Sequence, residues 1–268
     1  RITKPYINGE ESDWESLEKD IKSALGSGAS TVLLTGTITS PSLKAAIDKL
    51  MAKYSNLEHI QYDAVSYSGL LNAYQAMTGT RALPNYHFEK PMAIVSVNAD
   101  FLGDWISPEQ FAAAYVKNRT VDEQHHEMSR HIHVESRLSV TGSNADMRVP
   151  VRPSEQALAV AYIYNKIAQA KGGPAGSSVS FSTEGVKAKL DKAVDELLAH
   201  AGKSLFVTGV NDPNVQLLGL MINDLLGNMG SGKVIDTDFP NISRQGNEES
   251  AMKLVDQLGS GVKGLITL

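Results

Sequence analysis

The sequence contains no cysteine, no long hydrophobic run and few aromatic residues. Without cysteine, these residues cannot form disulfide bonds, ligate iron–sulfur clusters or build thiolate zinc sites. No apolar run approaches the roughly 20 residues that a membrane helix requires, and no signal peptide is recognisable. The net charge of -5 and the pI near 5.8 provide no basic surface for nucleic acid or an anionic membrane.

The 268 residues are 42% hydrophobic, which is enough for a substantial core. This length suits one large or two smaller α/β domains. The chain begins with Arg1 rather than methionine and ends in the apolar residues 265–268. We therefore expect it to be a fragment of a longer polypeptide.

The most informative stretch is residues 92–105, MAIVSVNADFLGDW. Its apolar run does not alternate with polar residues, which is typical of a strand buried on both faces of a parallel sheet. A polar loop follows at once, with Asn98, Asp100 and Asp104. Because ligands gather at the carboxyl edge of such sheets, these side chains either bind a ligand or fix the loop.

Strand patterns alternate with helical patterns along most of the chain, which indicates βαβ units and mostly parallel, Rossmann-like sheets in an α/β fold. The Gly- and Ser-rich residues 172–180 are typical of a linker. We therefore predict two lobes: an outer domain of residues 1–60 and 172–268, and an inserted domain of residues 61–171. A single continuous sheet is the alternative.

Residues 227–234, GNMGSGKV, nearly spell a phosphate-binding loop. The hydroxyl residue that would hold magnesium is replaced by Val234, and the glycines follow a helix instead of preceding one. The pattern therefore favours a helix C-cap and turn.

Four of the seven histidines lie in residues 125–133, HHEMSRHIH. The spacing does not match H-E-x-x-H, which would place two imidazoles on one helical face. His131 and His133 would share one face of a strand and could contribute to a metal site beside a carboxylate. The pattern favours a solvated, charged loop that leads into a strand, and it leaves metal binding by His125, His126, His131 or His133 open.

The sequence contains no nucleophile-elbow motif for covalent catalysis, because residues 66–69, SYSG, lack the leading glycine. Asp100 and Asp104 could work as an acid–base pair. Carboxylates at a strand end more often cap the next helix or bind neighbouring backbone, and this is the interpretation we favour.

Three stretches together resemble the molybdopterin oxidoreductase family: residues 91–105, 131–167 and 204–234. The resemblance extends from about residue 30 to the end. It is strongest to the molybdopterin-oxidoreductase-like part of the large iron–sulfur subunit of alternative complex III, a bacterial quinol:cytochrome c oxidoreductase. The signatures that carry it are residues 100–105, DFLGDW, and residues 142–146, GSNAD, followed by residues 152–155, RPSE.

The sequence departs from catalytic members of the family at both cofactor loops. Those members bind two pyranopterin guanine dinucleotides through a G-x-N-P-type loop, where this chain has residues 96–99, SVNA, and an R-P-G-T-D-type loop, where it has residues 152–156, RPSEQ. Side chains replace glycines that admit a pyrophosphate, and Glu155 adds a negative charge beside it. The metal-ligating residue of the family should fall near residues 66–68, which contain no cysteine.

The resemblance thus implies a domain that has lost its cofactor and supports an electron-transfer complex on the periplasmic side of the bacterial inner membrane. Its expected partners are the iron–sulfur domain of the same chain and other complex subunits, with neither nucleic acid nor direct membrane insertion. We expect no catalytic residue and no metal ligand. The residues of a vestigial cleft would be Asn98, Asp100, Asp104, Ser143, Asn144, Asp146, Arg152, Ser154 and Glu155.

Two alternatives remain open. The chain could be part of a working molybdenum or tungsten enzyme, with Asn98, Asp100, Ser143 and Arg152 lining a molybdopterin guanine dinucleotide cleft. It could also be a small-molecule binding module with a cleft between two α/β lobes.

Overall fold

A computed structural model describes residues 3–121 and 126–268 of the chain. The strands are β1 (Tyr6–Ile7), β2 (Glu10–Glu11), β3 (Thr31–Thr35), β4 (Leu57–Gln61), β5 (Leu83–Tyr86), β6 (Ala93–Val97), β7 (Arg130–Glu135), β8 (Met147–Pro150), β9 (Ser204–Thr208), β10 (Ile235–Asn241) and β11 (Gly264–Thr267). The helices are α1 (Trp14–Gly26), α2 (Pro41–Lys53), α3 (Ser68–Thr78), α4 (Pro108–Lys117), α5 (Val140–Ser143), α6 (Gln156–Lys171), α7 (Val186–Ala199), α8 (Pro213–Leu225) and α9 (Glu248–Gln257). A 3₁₀ turn, Pro153–Glu155, precedes α6.

The chain forms two compact units: an outer unit, Arg1–Ser66 with Ser243–Leu268, and an inner unit, Tyr67–Ile242. The inner unit is built on a four-stranded parallel sheet in the order β8-β7-β6-β9. The chain runs outward from β6 through β7 to β8, and β9 then pairs with the opposite side of β6. Parallel strands joined through helices confirm the predicted α/β, Rossmann-like class.

Each face of the inner sheet is covered, which explains why its central strand is apolar throughout. One face packs against α6, α7 and the end of α8, in a core that includes Val95, Ile163 and Leu190. The other face packs beneath α3, α4 and the antiparallel pair of β5 and β10, in a core that includes Ile94 and Phe111.

The outer unit contains a three-stranded parallel sheet in the order β11-β3-β4. Leu25 of α1 and Ile47 of α2 pack on one face, and Leu254 of α9 packs on the other. At the carboxyl edge, Asp63 accepts hydrogen bonds from the Thr37 amide (3.0 Å) and hydroxyl (2.6 Å).

The second domain boundary differs from the prediction at residues 171/172 and lies at residues 242/243. The predicted linker only connects α6 to α7, because both helices pack on the same face of the inner sheet. Strand β9 also pairs with β6, so residues 172–242 belong to the inner unit. The first boundary lies at residues 66/67, a few residues after the predicted position.

Local signals fix several element ends. Gly227, Gly230 and Gly232 all have positive φ and form the turn after α8, as predicted. Helix α1 is capped by Asp13, whose carboxylate accepts from the Ser16 amide. No helix among residues 3–121 and 126–268 is long and apolar enough to cross a membrane.

Candidate functional site

The carboxyl edge of the inner sheet is the place where this topology favours a ligand. The strand order reverses at β6, because β7 and β9 pair with opposite sides of it. Such a switch point opens a crevice in doubly wound sheets. The cleft residues predicted from the sequence all follow β6, β7 or β8.

Asn98 lies at the switch point itself, directly after β6. Its φ is +53°, a left-handed conformation that asparagine tolerates. Its side-chain oxygen accepts a hydrogen bond from Nε2 of Gln156 (3.0 Å). The Gln156 Nε2 group also donates to Ser136 Oγ (2.8 Å). Asn98 therefore joins the loop after β6 to the loop after β7 and to the start of α6.

The backbone after β6 also touches the backbone after β9. The Gly209 amide donates to the Val97 carbonyl (2.9 Å), and a Cβ built on Gly209 would lie 2.2 Å from the Asn98 carbonyl oxygen. The floor of the crevice is therefore closed by main chain in direct contact.

The two aspartates that could have formed an acid–base pair have separate partners. Asp100 Oδ1 accepts from the Thr141 amide (2.9 Å), which ties this loop to α5. The Asp104 side chain is 75% exposed and lies 3.8 Å from the Arg137 guanidinium. The two carboxylates therefore bind different parts of the chain, Asp100 the start of α5 and Asp104 the loop after β7.

The residues predicted after β7 also bind neighbouring chain. The Ser143 hydroxyl donates to the Ser139 carbonyl (2.8 Å), and the Asn144 amide donates to the Val140 carbonyl (2.9 Å). Both side chains are exposed and complete the short helix α5.

Asp146 directly precedes β8, at the amino edge of the parallel sheet, so the structure does not bring it together with the predicted cleft residues at the carboxyl edge. It accepts two hydrogen bonds from the Arg119 guanidinium (2.9 Å each) and one from the His131 amide (2.7 Å). Burial raises the pKa of Asp146, but the hydrogen bonds from Arg119 and the His131 amide outweigh this effect and the net pKa is lowered. The ion pair therefore fastens α4 to the β7–β8 connection.

Glu155 occupies a site made of hydrogen-bond donors at the start of α6. Its carboxylate accepts from the Arg152 amide (3.1 Å), the Ser182 amide (2.7 Å), the Ser182 hydroxyl (2.8 Å) and the Thr183 hydroxyl (3.1 Å). The Arg152 amide, followed by the Ser182 groups, lowers the pKa of Glu155 to about 2. Glu155 is buried and anionic, whereas Arg152 and Ser154 are exposed beside it.

Two further helix N-termini at this edge bind side chains of the protein. Asp212 caps α8 by accepting from the Asn214 and Val215 amides (2.9 and 3.0 Å). The Asn211 side chain accepts from the Gly69 amide of α3 (2.9 Å). These are the amides that attract anions at helix N-termini.

The structure also brings together a row of buried polar groups that the sequence interpretation missed. His131, His133 and Glu135 alternate along β7 and are each at most 2% exposed. The strand predicted to carry both histidines on one face is present, but the prediction did not include the burial of that face. The alternation of the strand can be recognised in the sequence. The packing of α4 and α5, which buries this face of the strand, cannot.

Hydrogen bonds connect this row from end to end. Tyr115 Oη is 3.0 Å from His131 Nδ1, and Ser96 Oγ lies between His131 Nε2 (3.0 Å) and His133 Nδ1 (2.6 Å). His133 Nε2 is 3.1 Å from the Glu135 carboxylate. We call these five side chains the polar row.

The carboxylate determines the direction of every hydrogen bond in the polar row. Burial lowers the pKa of both histidines, that of His131 to about 3, so the rings are neutral. A carboxylate only accepts, so His133 donates from Nε2 and accepts at Nδ1 from Ser96. Ser96 then accepts from His131 Nε2, and His131 Nδ1 accepts from Tyr115.

Glu135 remains the anionic end of the row. Burial raises its pKa, but hydrogen bonds from Ser139 and Arg148 reverse this effect and the net pKa is lowered. Arg148 pairs with it from β8. Gly142 of α5 lies so close that an added Cβ would be 2.1 Å from the carboxylate.

Ser96, His133 and Glu135 have the residue types of a hydrolytic triad, but Ser96 is fully buried. A nucleophile must reach its substrate, so the burial argues against this chemistry. Among residues 3–121 and 126–268, no group of three or more His, Asp or Glu side chains is placed to hold a metal ion. His126 is exposed, and His125 lies outside the described residues.

Comparisons with known proteins support the fold. No protein-family model matches the chain, and no curated protein is significantly similar to it. A solved structure, the formyltransferase/hydrolase complex (FhcABCD) from Methylorubrum extorquens in complex with methylofuran, contains a similar chain, with a TM-score of 0.51 at 14% identity. The match covers 98% of this chain and spans 60% of that chain. The protein thus shares an α/β fold with part of a subunit of that complex.

Proposed function

We propose that this chain is a molybdopterin-oxidoreductase-like domain that holds no pterin and serves as a structural part of a quinol:cytochrome c oxidoreductase on the periplasmic side of the bacterial inner membrane. The proposal rests on the sequence resemblance and on the state of the cofactor loops. It assigns the domain a supporting role in electron transfer rather than catalysis.

The observation that carries the proposal is the environment of Glu155. A pyrophosphate binds where backbone amides and hydroxyls converge without a competing anion. Here the amides of Arg152 and Ser182 and two hydroxyls already bind the Glu155 carboxylate. An incoming diphosphate would meet a buried negative charge, so these residues do not fit the guanine dinucleotide.

The contact between Asn98 and Gly209 supports the same interpretation. It closes the crevice floor with main chain at the point where a dinucleotide approaches the strand ends. The cleft residues Asp100 and Glu155 both fasten neighbouring elements to one another at this edge. Their work is to hold the carboxyl edge rigid, as a surface for the iron–sulfur domain and partner subunits requires.

A cofactor assay tests the absence of a pterin. The chain is expressed in a host that makes molybdopterin guanine dinucleotide, with molybdate or tungstate supplied. We expect metal and released guanine nucleotide far below one per chain. Stoichiometric molybdenum or tungsten together with pterin would overturn the proposal in favour of the catalytic alternative.

The activity of the parent complex tests the structural role. Arg152→Ala and Asn98→Gly change exposed cleft side chains, and glycine accepts the positive φ at residue 98. We expect complexes that carry either change to oxidise quinol as the unchanged complex does, like the control Ser143→Ala. A severe loss of activity in complexes that assemble normally would contradict the proposal.

A further inference from the structure

Tyr115 and His131 form a buried pair of a phenol and a base. The phenol is 5% exposed and the imidazole is fully buried. The 3.0 Å hydrogen bond runs from the phenol to Nδ1 of the imidazole, because the Glu135 carboxylate fixes the direction of the polar row. The Asn144 carbonyl is a second, longer acceptor for the same hydroxyl, at 3.4 Å.

This geometry meets the main requirement for oxidising a buried tyrosine. Removing one electron from a phenol makes it strongly acidic, and a charged phenol is costly in an apolar environment. A base in hydrogen-bond contact accepts the proton as the electron leaves, which keeps the phenol neutral. Tyr164 shows the contrast: it is similarly buried, but its hydroxyl donates to the Pro174 carbonyl (3.0 Å), which is not a base.

A series of aromatic contacts connects Tyr115 to the loop after β6. Trp105 lies 5.9 Å from Phe111, Phe111 lies 4.7 Å from Phe88, Phe88 lies 4.4 Å from Phe101 and Phe101 lies 5.5 Å from Tyr115, measured between ring centroids. These rings form a continuous series of aromatic contacts from Trp105, at the carboxyl edge of the sheet, to the phenol of Tyr115.

We propose that Tyr115 is a redox-active tyrosine: an outer-sphere one-electron oxidant takes an electron from its phenol while the phenolic proton passes to Nδ1 of His131. The O–H bond of Tyr115 breaks and an N–H bond forms on His131. The products are a neutral tyrosyl radical, an imidazolium and the reduced oxidant. A one-electron donor reverses the step and the proton returns to the phenol.

The polar row can carry the proton further without releasing it. Nε2–H of His131 passes its proton to Ser96, the Ser96 proton moves to Nδ1 of His133, and Nε2–H of His133 protonates Glu135. The protein then contains a tyrosyl radical and a neutral Glu135, and both histidines are neutral again with exchanged tautomers. Loss of one electron changes the total charge of the row by one.

The charged groups around the row are largely compensated. The Arg119 guanidinium lies 5.2 Å from the Tyr115 ring and is paired with Asp146. At the other end, Arg148 is paired with Glu135. Asp100 interacts with His133 from the loop after β6 and favours its protonated form. Before the electron leaves, both of these guanidiniums are therefore paired with a carboxylate.

Laser-flash oxidation of the whole chain tests this inference. A ruthenium tris-bipyridine complex, oxidised by a flash in the presence of persulfate, serves as the oxidant, and electron paramagnetic resonance detects tyrosyl radicals. Exposed tyrosines give short-lived radicals, so the measured quantity is the long-lived component. We expect its loss in Tyr115→Phe and its retention in the control Tyr164→Phe. Full retention in folded Tyr115→Phe would overturn the inference.

The unchanged protein provides a second measurement that does not depend on the folding of a variant. His131 has a pKa of about 3 and Tyr115 a pKa of about 12, so neither titrates between about pH 5 and about pH 9. With His131 as proton acceptor, the rate at which the long-lived radical forms stays constant over this range. A rate that rises with pH, as for a phenol that gives its proton to solvent, would contradict the proposal.

His131→Gln separates the base from the hydrogen bond. The glutamine amide can still accept from Tyr115 but cannot take its proton. We expect loss of the long-lived radical in this variant although Tyr115 is present. A radical of unchanged yield and lifetime in folded His131→Gln would show that Tyr115 does not depend on this base.

Discussion

Gly209 lies against the main chain of Asn98, and the contact leaves no space for a side chain. A Cβ on Gly209 would be 2.2 Å from the Asn98 carbonyl oxygen and 3.0 Å from the Ala99 Cα. Both neighbours are backbone atoms of a loop that follows a fully buried strand, so they cannot move aside at little cost.

Gly209→Ala is therefore expected to destabilise the inner unit. Overpacking of this kind typically costs about 1–3 kcal/mol. The measurement is the free energy of unfolding in urea. The control is Gly26→Ala, because Gly26 has open space around it and an ordinary φ. Equal stability of the Gly209→Ala protein and the control would mean that this contact does not exist in solution.

Glu155→Gln is expected to lower stability at neutral pH. The carboxylate has a pKa of about 2 in the folded protein against an ordinary value of 4.5, so its ionised form stabilises the fold above about pH 4.5. That contribution disappears as the pH falls towards about 2. The difference in unfolding free energy between the two proteins should therefore shrink in acid.

The neighbouring Glu184 provides the matched control for this pH series. It is exposed, and Glu184→Gln should change the free energy of unfolding by no more than about 0.5 kcal/mol at neutral pH. A difference for Glu155→Gln that stays constant down to about pH 2 would refute the role assigned to its charge.

Ser96→Ala tests the centre of the polar row. The change leaves His131 Nε2 and His133 Nδ1 without the hydroxyl that lies between them. A buried polar group that loses its partner costs about 1–3 kcal/mol. We expect a loss of that size in urea unfolding, and a change within about 0.5 kcal/mol for the exposed Ser143→Ala. If Ser96→Ala leaves the free energy of unfolding unchanged, Ser96 does not belong to the hydrogen-bonded row.

The buried histidines should make the protein less stable in mild acid. In the unfolded chain an imidazole binds a proton below about pH 6.5, but folded His131 does so only near pH 3. The unfolded state therefore gains protons first, and the unfolding free energy falls by up to about 1.4 kcal/mol per pH unit for each such histidine. The lowered pKa of His133 acts in the same direction.

Urea unfolding at about pH 7 and about pH 5 measures this effect above the range in which Glu155 titrates. NMR signals of His131 that show a protonated ring at about pH 5 would contradict the expectation.

Much of the inner sheet could be predicted from local pattern. The apolar run within residues 92–105 forms the buried strand β6, and the histidine-rich segment leads into the strand β7, both as predicted, because such patterns act within a few residues. Strands β5 and β8 and helices α7 and α9 were not predicted, since β5 and β8 have only four residues each and α7 and α9 are largely polar. The signal that identifies such elements comes from their neighbours in the fold.

The domain boundary shows the same limit. A Gly- and Ser-rich segment predicts a connection between two elements, and residues 172–180 do lie between α6 and α7. The composition of the segment does not show whether the two elements belong to the same domain. Only packing shows that α6 and α7 cover the same sheet face and that β9 completes the sheet beside β6.

By itself, the sequence determined the fold class, the central strand and the identity of the loops that follow it, because hydrophobic periodicity and turn chemistry are local properties. Tertiary structure alone decided what those loops do. Glu155 binds Ser182, Asn98 meets Gly209, and the histidines of β7 join Tyr115 and Ser96 in a buried row. Each of these contacts joins residues far apart in the chain, and their partners are set by strand order and helix packing, which no short stretch of sequence specifies.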